Sequence, residues 1–354
     1  MRIFCPRTHL WQVVLATFLS MILWSSTALA FQKTDVVILK NGDRITGEIK
    51  KFERGKLRLS TSGMSTIYIE WPHIASIRSD KMLEVELDNG ERMYGVLHPT
   101  EDETKMIVQT QLSTAVVEQV NIVEVTPIKE GFWDKIDGSI DFGSTITQAN
   151  NQVDYNLNAT ATHRARKNTF TVNVTSFIRT QEEVKNTNRQ DLAFSYRRQL
   201  RGRWFGAGLS SFQKNNELNL DFRGTLGGGI GRSLVHTNRV ILAVVGGSVY
   251  TREQFTGNED QQNNVEALAH LDVQWFTFGN QETDLDTKLT VLPSLSSWGR
   301  VRLELNSTFR REILFKDLYF AVNFFENYDS DPPQESGQTH KNDFGITTSL
   351  GWKF

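Results

Sequence analysis

Hydrophobic and polar positions alternate with period two along almost the whole chain from residue 32 onward, a pattern that predicts strands rather than helices. The pattern has two textures. From 32 to 130 the alternating runs are short and end in tight turns, whereas from 131 to 354 they are longer and separated by polar turns. Residues 10 to 24 depart from it: an apolar stretch, preceded by Arg2 and Arg7 and followed by Ala28-Leu29-Ala30, reads as a secretory signal cleaved after Ala30. The stretch is short for a bilayer-spanning anchor, the alternative reading of residues 1 to 30.

The first texture is an internal repeat. Asn41-Gly42-Asp43-Arg44-Ile45-Thr46-Gly47 returns 48 positions later as Asn89-Gly90-Glu91-Arg92-Met93-Tyr94-Gly95, and Ile69, Ile74 and Ile77 fall on Val117, Ile122 and Val125 at the same offset. Two units are expected, 31 to 80 and 81 to 130, each a strongly bent sheet of four or five short strands. Asn-Gly suits a two-residue hairpin turn, in which both central positions need positive φ. Gly47 and Gly95 mark places where a strand can bend. The turn, the following glycine and the closing Ile-rich strand resemble the Sm-like or SH3-like small barrel, a fold that serves unrelated tasks. The module reads either as a binder of a periplasmic protein or glycan, or as a spacer or base for residues 131 to 354.

In the second texture twelve period-two segments are expected, at roughly 134–146, 152–163, 168–180, 189–199, 203–213, 217–231, 239–252, 264–277, 283–292, 299–311, 317–327 and 342–354. An even count of alternating strands, each apolar on one side, is the signature of an antiparallel transmembrane β-barrel, and such strands average to polar on any hydropathy scale. The eighth segment puts Val265, Ala267, Ala269, Leu271, Val273 and Trp275 toward lipid and Glu266, His270, Asp272 and Gln274 inward. A soluble β-sandwich would show the same period with the faces reversed. The connections around Arg166, Gly202 and Asn280 are tight and would face the periplasm, while 180–188, 252–264 and 327–341 are long and would lie outside. Aromatic girdles are expected from Phe132, Trp133, Trp204, Phe205, Trp275, Phe315 and Tyr319 on the periplasmic side, and from Phe177, Phe212, Tyr250, Trp298 and Tyr328 on the outer side. The chain ends Phe344, Ile346, Thr348, Leu350, Trp352, Phe354 at alternate positions, which looks like the terminal signal by which Gram-negative barrels are handed to their assembly machinery.

The Gly-Phe-Trp-Asp start at residues 131 to 134, the strand Gly138-Ser139-Ile140-Asp141-Phe142-Gly143, the Phe194-Ser195-Tyr196-Arg197 strand and the terminal pattern resemble a family of barrels described as salt-induced outer-membrane proteins. The resemblance covers 131 to 354 and implies fold and location, in the outer membrane with the N-terminal module in the periplasm. That family is of unknown function, so it implies no active-site residues.

Composition narrows the chemistry. Lys plus Arg number 39 against 41 Asp plus Glu, a formal charge of −2, so no polycationic nucleic-acid binder is in view. The one cysteine, Cys5, lies in the leader, which excludes thiol chemistry from the remainder. His73, His98, His163, His236, His270 and His340 are scattered without metal-ligand spacing, and no Gly-x-Ser-x-Gly elbow occurs. No cofactor or metal is expected. Gly227-Gly228-Gly229-Ile230-Gly231 lacks the context of a phosphate loop and reads as a place where a strand bends or a side chain approaches. The expected inner wall carries both signs, with Arg197, Glu266, Asp272, Arg300, Arg302, Glu304 and Arg310 as candidate lumen charges. These either line a narrow passage and select solutes by sign, or pair across a lumen that does not conduct. The sequence therefore predicts a non-enzymatic barrel with a role in envelope structure or stress-related permeability, in contact with outer-membrane lipid. A channel for a small polar solute is the first alternative and a surface hydrolase the second.

Overall fold

The structure, a computed structural model, describes residues 33–129, 131–147, 152–181, 184–216, 220–256, 261–279, 281–313, 318–331 and 341–352. Ala28, Ala30, Asn280, Phe315, His340 and Phe354 lie outside this set. No α-helix occurs among the described residues, and none is long and apolar enough to cross a membrane, which says nothing of strands.

The N-terminal part is nine strands: β1 (Asp35–Leu39), β2 (Arg44–Glu53), β3 (Lys56–Ser60), β4 (Thr66–Glu70), β5 (Ile74–Leu87), β6 (Arg92–Pro99), β7 (Lys105–Thr110), β8 (Thr114–Glu118) and β9 (Ile122–Pro127). A 3-10 turn, Trp71–His73, precedes β5, and another, Gln119–Asn121, precedes β9 at the 48-residue offset of the repeat. The expected boundary at residue 80 falls inside β5. That strand closes the first unit against β1 and opens the second against β9. One hydrophobic core serves both units, with Val37, Ile49, Phe52, Leu57, Leu59 and Ile74 from the first and Leu83, Val85, Leu97, Met106, Val108 and Ile122 from the second. The two copies also bind each other at equivalent positions: Trp71 Nε1 donates to the Gln119 carbonyl (2.8 Å), and Gln119 Nε2 donates to that of Ile74 (2.9 Å).

The repeat turns differ from the two-residue hairpin expected. Leu39 N–H bonds to Asp43 O and Gly42 N–H to Leu39 O, so each loop has three residues and only its glycine has positive φ, +89° at Gly42 and +82° at Gly90. The asparagines serve instead as local acceptors: Asn41 Oδ1 takes the Asp43 N–H at 3.0 Å, and Asn89 Oδ1 the Glu91 N–H at 2.8 Å. Gly47 and Gly95 permit close approach of the next strand. A Cβ at Gly47 would lie 2.7 Å from Leu59 Cγ, and one at Gly95 2.2 Å from the Gln109 carbonyl oxygen.

The C-terminal part is one antiparallel sheet of twelve strands in sequence order. They are β10 (Ile136–Thr147), β11 (Gln152–Arg164), β12 (Asn168–Gln181), β13 (Val184–Gln199), β14 (Trp204–Asn215), β15 (Leu220–His236), β16 (Val240–Phe255), β17 (Gln262–Thr277), β18 (Thr283–Pro293), β19 (Val301–Glu312), β20 (Leu318–Asp329) and β21 (Asn342–Trp352). Each expected segment has its strand. The largest differences are extensions of β13 and β15 into their loops, because those ends stay paired with neighbours. The barrel expected from the sequence is an open sheet here: among the described residues no ladder joins β10 to β21, and both edge strands are exposed along most of their length.

Sidedness is the sheet's main property. Its outer face carries exposed Phe170, Trp204, Phe212, Phe222, Leu226 and Ile230 and half-exposed Phe194, with Phe170, Phe194, Phe212 and Phe222 in a ladder of ring contacts 6.1–6.5 Å apart. Its inner face buries Thr251, Glu253, Asn264 and Glu266. Glycines of β14, β15 and β16 divide by face as well. A Cβ at inner Gly229 would sit 2.3 Å from the Gly246 carbonyl oxygen, and one at inner Gly247 2.1 Å from that of Gly228; at outer Gly206 and Gly246 it would meet nothing within 4 Å. Crowding on one side and room on the other is what a sheet bent inward produces.

Gly229→Ala and Gly247→Ala are therefore expected to destabilise the folded protein by about 1–3 kcal/mol through overpacking against backbone. Gly206→Ala and Gly246→Ala should stay within about 0.5 kcal/mol of the parent. Urea unfolding followed by tryptophan fluorescence measures all four.

Candidate functional site

The inner face organises its charge into pairs, most of them toward the end of the sheet remote from the N-terminal module. Glu266 on β17, 1% exposed, takes two hydrogen bonds from Arg302 on β19, with Nε–Oε1 at 2.8 Å. Arg300 donates to both oxygens of Asp329 (3.0 and 2.6 Å), Arg223 bonds to buried Glu253 and to Gln213, and Arg179 to both oxygens of Asp154 (3.0 and 3.2 Å). Alternation places these side chains: with period two, every residue facing inward on one strand stands beside an inward residue of the next, so Asp154 faces Arg179 and Arg223 faces Glu253 directly in register. Bidentate guanidinium pairs of this kind fix orientation as well as charge.

At the other end the module is seated on four successive hairpins. The Arg54-Gly55-Lys56 tip pairs Arg54 with Asp284 and Lys56 with Glu282, while Arg54 lies over the Phe276 ring and Lys56 over that of Phe278. Arg54 (φ +51°) and Gly55 (φ +67°) are both left-handed, and a Cβ at Gly55 would lie 2.3 Å from Phe278. Asn238, between β15 and β16, donates to the Ile122 carbonyl (2.9 Å), and His236 Nδ1 lies 3.4 Å from Glu86. Arg203, between β13 and β14, donates to the Asp88 carbonyl, and the Arg166 guanidinium stacks on Tyr94 at 3.6 Å. Among the described residues the seam holds two clefts of note. One of about 260 Å³ lies beside the Arg54 tip; a larger one of about 630 Å³ lies between the Asn89-Gly90 turn and the hairpins carrying Arg166 and Arg201.

Charge is also concentrated within the module beneath the sheet. Arg92 bonds to Glu84 (2.6 Å) and Glu86 (2.5 Å). Burial pushes the Glu84 carboxyl above its ordinary range despite Arg92, and neighbouring Glu124 and Glu86 add to the rise. For Glu124 burial acts upward too, but the charges of Lys51 and Arg92 outweigh it and hold the carboxyl low. Asp102, in an exposed turn, is lowered to about 2 by the Thr104 hydroxyl, the Thr104 N–H and Lys105.

Of the candidate lumen charges, Glu266 and Arg302 are brought together and Arg300 finds Asp329. Asp272 stands opposite Lys288 in register. Arg197 stacks on Phe205 at 3.8 Å and Arg310 lies over Tyr319 at 5.1 Å, while Glu304 is exposed opposite Thr290. Phe177, Phe205 and Tyr319 leave the expected girdle, Phe177 standing opposite Asn156 on the inner face with the Arg179 guanidinium 5.3 Å over its ring. Phe205 is 4% exposed on the inner face, where Gly231 makes room for its ring, and Tyr319 covers Gly351. Parity decides it: each is one residue out of step with the lipid-facing set of its strand. Trp204, Phe212, Tyr250, Trp275, Tyr328 and Trp298 are exposed as expected, and so are Phe344, Ile346, Leu350 and Trp352 on β21. Sequence reasoning missed Asp329, Glu253, Arg54, Lys56 and Asp88. Extending the period-two count two residues past 327 would have found Asp329; no sequence signal marks the module contacts. The two repeat turns part company here, since Gly42 faces open space whereas Gly90 packs 2.8 Å (as a Cβ) from Arg203 Cγ.

Sidedness and seam together define an all-β protein in which a long bent sheet, charged within and apolar without, stands on a small β module. The family model described as a protein of unknown function, DUF481, matches residues 140–354. That is more than half of the chain, and the chain belongs to this family. No curated protein and no solved structure matches it.

Arg302→Gln leaves Glu266 buried without its partner and is expected to cost about 2–4 kcal/mol, recovered in large part by adding Glu266→Gln; urea midpoints of the two variants measure this. Glu84 binds its proton more tightly folded than unfolded, so its charge costs stability that is absent below the ordinary 4.5 and grows as pH rises through the folded value. Glu84→Gln should thus stabilise the protein at neutral pH and not at pH 4. Asp102→Asn has the opposite sign: the stability it removes is present above the ordinary 3.8 and vanishes as pH falls through about 2.

Proposed function

We propose that this protein is a non-enzymatic outer-membrane β-barrel whose periplasmic module closes one mouth, with a role in envelope structure or stress-related permeability. One observation carries the reading: the outer face exposes Leu226, Ile230, Phe212 and Trp275 while the inner face buries Glu253 and Glu266. Water around that outer face would leave a large apolar surface unburied, whereas lipid removes the cost. In lipid the free edges of β10 and β21 must pair, because unpartnered backbone groups there cost several kcal/mol each. Closure of the twelve strands is therefore part of the proposal. The hairpins that hold the module are the tight ones, around Arg166, Gly202, Asn238 and 278–282, which agrees with short turns and module on the same, periplasmic side. The tandem of Sm-like or SH3-like units, with a 3-10 turn before each closing strand, is a compact base for such a mouth.

Two features favour a barrel that conducts poorly over a solute channel. Several inner charges are paired with one another, Glu266 with Arg302 and Arg300 with Asp329 among them, and the module sits across four of the hairpins that would rim the mouth. The resemblance to salt-induced outer-membrane proteins and the terminal aromatic strand fit the same location.

The protein refolded in detergent should change gel mobility on boiling and insert into phospholipid vesicles. Since Cys5 is the chain's one cysteine, a cysteine at position 140 scanned against cysteines at 346, 348 and 350 should give one cross-linked pair in the folded form. A chain that stays monomeric in water without detergent would refute the reading. In planar bilayers the parent should be nearly silent, and Arg54→Glu with Lys56→Glu, which repel Asp284 and Glu282, should raise conductance. Large steps from the parent would favour the channel.

A further inference from the structure

The hairpins under the module are not electrically alike. On the β17–β18 side the rim carboxylates Glu282 and Asp284 are neutralised by Lys56 and Arg54. On the β11–β15 side the rim is cationic: Arg166 and Lys167 at the β11–β12 tip, Arg198 at the end of β13, Arg201 at the next tip and Arg232 on β15 are all exposed. None of the five has a carboxylate within ion-pair distance among the described residues. Three of them, Arg166, Lys167 and Arg201, line the cleft of about 630 Å³ together with the Asn89-Gly90 turn, and Glu91 is the one carboxylate in that lining. Arg166 is braced there by the Tyr94 ring.

The same strands carry, immediately beyond these cations on the outer face, the exposed rings of Phe170 (41%), Tyr196 (41%) and Trp204 (47%). Arg232 lies 5.3 Å over the Trp204 ring, and Tyr196 Oη bonds to Asn168 (2.8 Å). Aromatic rings at a sheet's end with cations one step farther out match the boundary between acyl chains and headgroups. We propose that the β11–β15 rim and its cleft bind the anionic headgroup of a membrane glycerophospholipid, with the acyl chains on the Phe170, Tyr196 and Trp204 face. The inference rests on the membrane reading above and adds a ligand class to it. Unneutralised cations beside apolar rings offer a phosphate both charge and a place for its tails; a soluble anion would use only the first.

The test is native mass spectrometry of the refolded full chain in detergent, titrated with phosphatidylglycerol or phosphatidylcholine, its fold verified by gel mobility. Phosphatidylglycerol should be retained on the order of tenfold better. The preference should disappear in the triple variant R166Q/K167Q/R201Q, weaken in high salt, and survive in R166K/R201K, which keeps the charge. Should the triple variant not fold, the single exposed substitutions K167Q and R201Q should each lower the preference in part. Equal retention of the two lipids by the folded parent, or a preference unchanged in the folded variants, would overturn the site. So would displacement by glycerol phosphate at the concentration of the lipid, which would make it a site for a soluble anion. A parent that enters phosphatidylcholine vesicles yet shows no preference loses this site alone; one that enters no vesicle of either composition loses the membrane reading and this site with it.

Discussion

A sheet that buries charge on one face and exposes apolar side chains on the other has one constraint above others to satisfy: each carboxylate or guanidinium it buries must meet a partner on the inside, an opposite charge or the face of a ring. Glu266 against Arg302 is the clearest instance, a carboxylate almost sealed from solvent and held by both arms of one guanidinium. Around it, Arg300 with Asp329 and Arg223 with Glu253 do the same for neighbouring strands. A buried charge without such a partner would be far more costly than the pair is favourable. The inward bend follows from the same demand. Small residues such as Gly229 and Gly247 let adjacent backbones close up on the inner side, bringing long charged side chains into reach of one another.

The module obeys the opposite rule. Its eighteen-residue core cluster is apolar, the polar groups buried beside it, such as Asp35, Ser79 and Gln119, are hydrogen-bonded, and its two copies share β5 as a common wall. Joining the two regimes falls to the seam, where ion pairs, cation-ring contacts and bonds to carbonyls replace a hydrophobic interface. Such contacts are directional, so they fix which hairpins the module touches more than they add stability. This explains why the second repeat turn, at Asn89-Gly90, is docked while the first, at Asn41-Gly42, is free: the duplicated sequence builds two similar turns, and only one of them lies under the sheet.

The strand plan of this protein was legible in the sequence because period two is a local property. A residue's face depends on its parity within its own strand, so twelve segments, their apolar faces and the 48-residue repeat could all be read off without knowing any partner. The same parity placed Phe205 and Tyr319 inside once the strand frames were fixed, although their aromatic character suggested the girdle. Pairing was not local. That Glu266 meets Arg302 and not Lys288, that Arg197 stacks on Phe205, and that the Arg54 tip reaches Asp284, 230 residues away, depend on register, bend and the approach of two parts of the chain distant in sequence. The sequence by itself determined which residues could face which side; only the tertiary structure decided which of them touch, because contact between strands and between parts is a matter of distances that no alternation along the chain encodes.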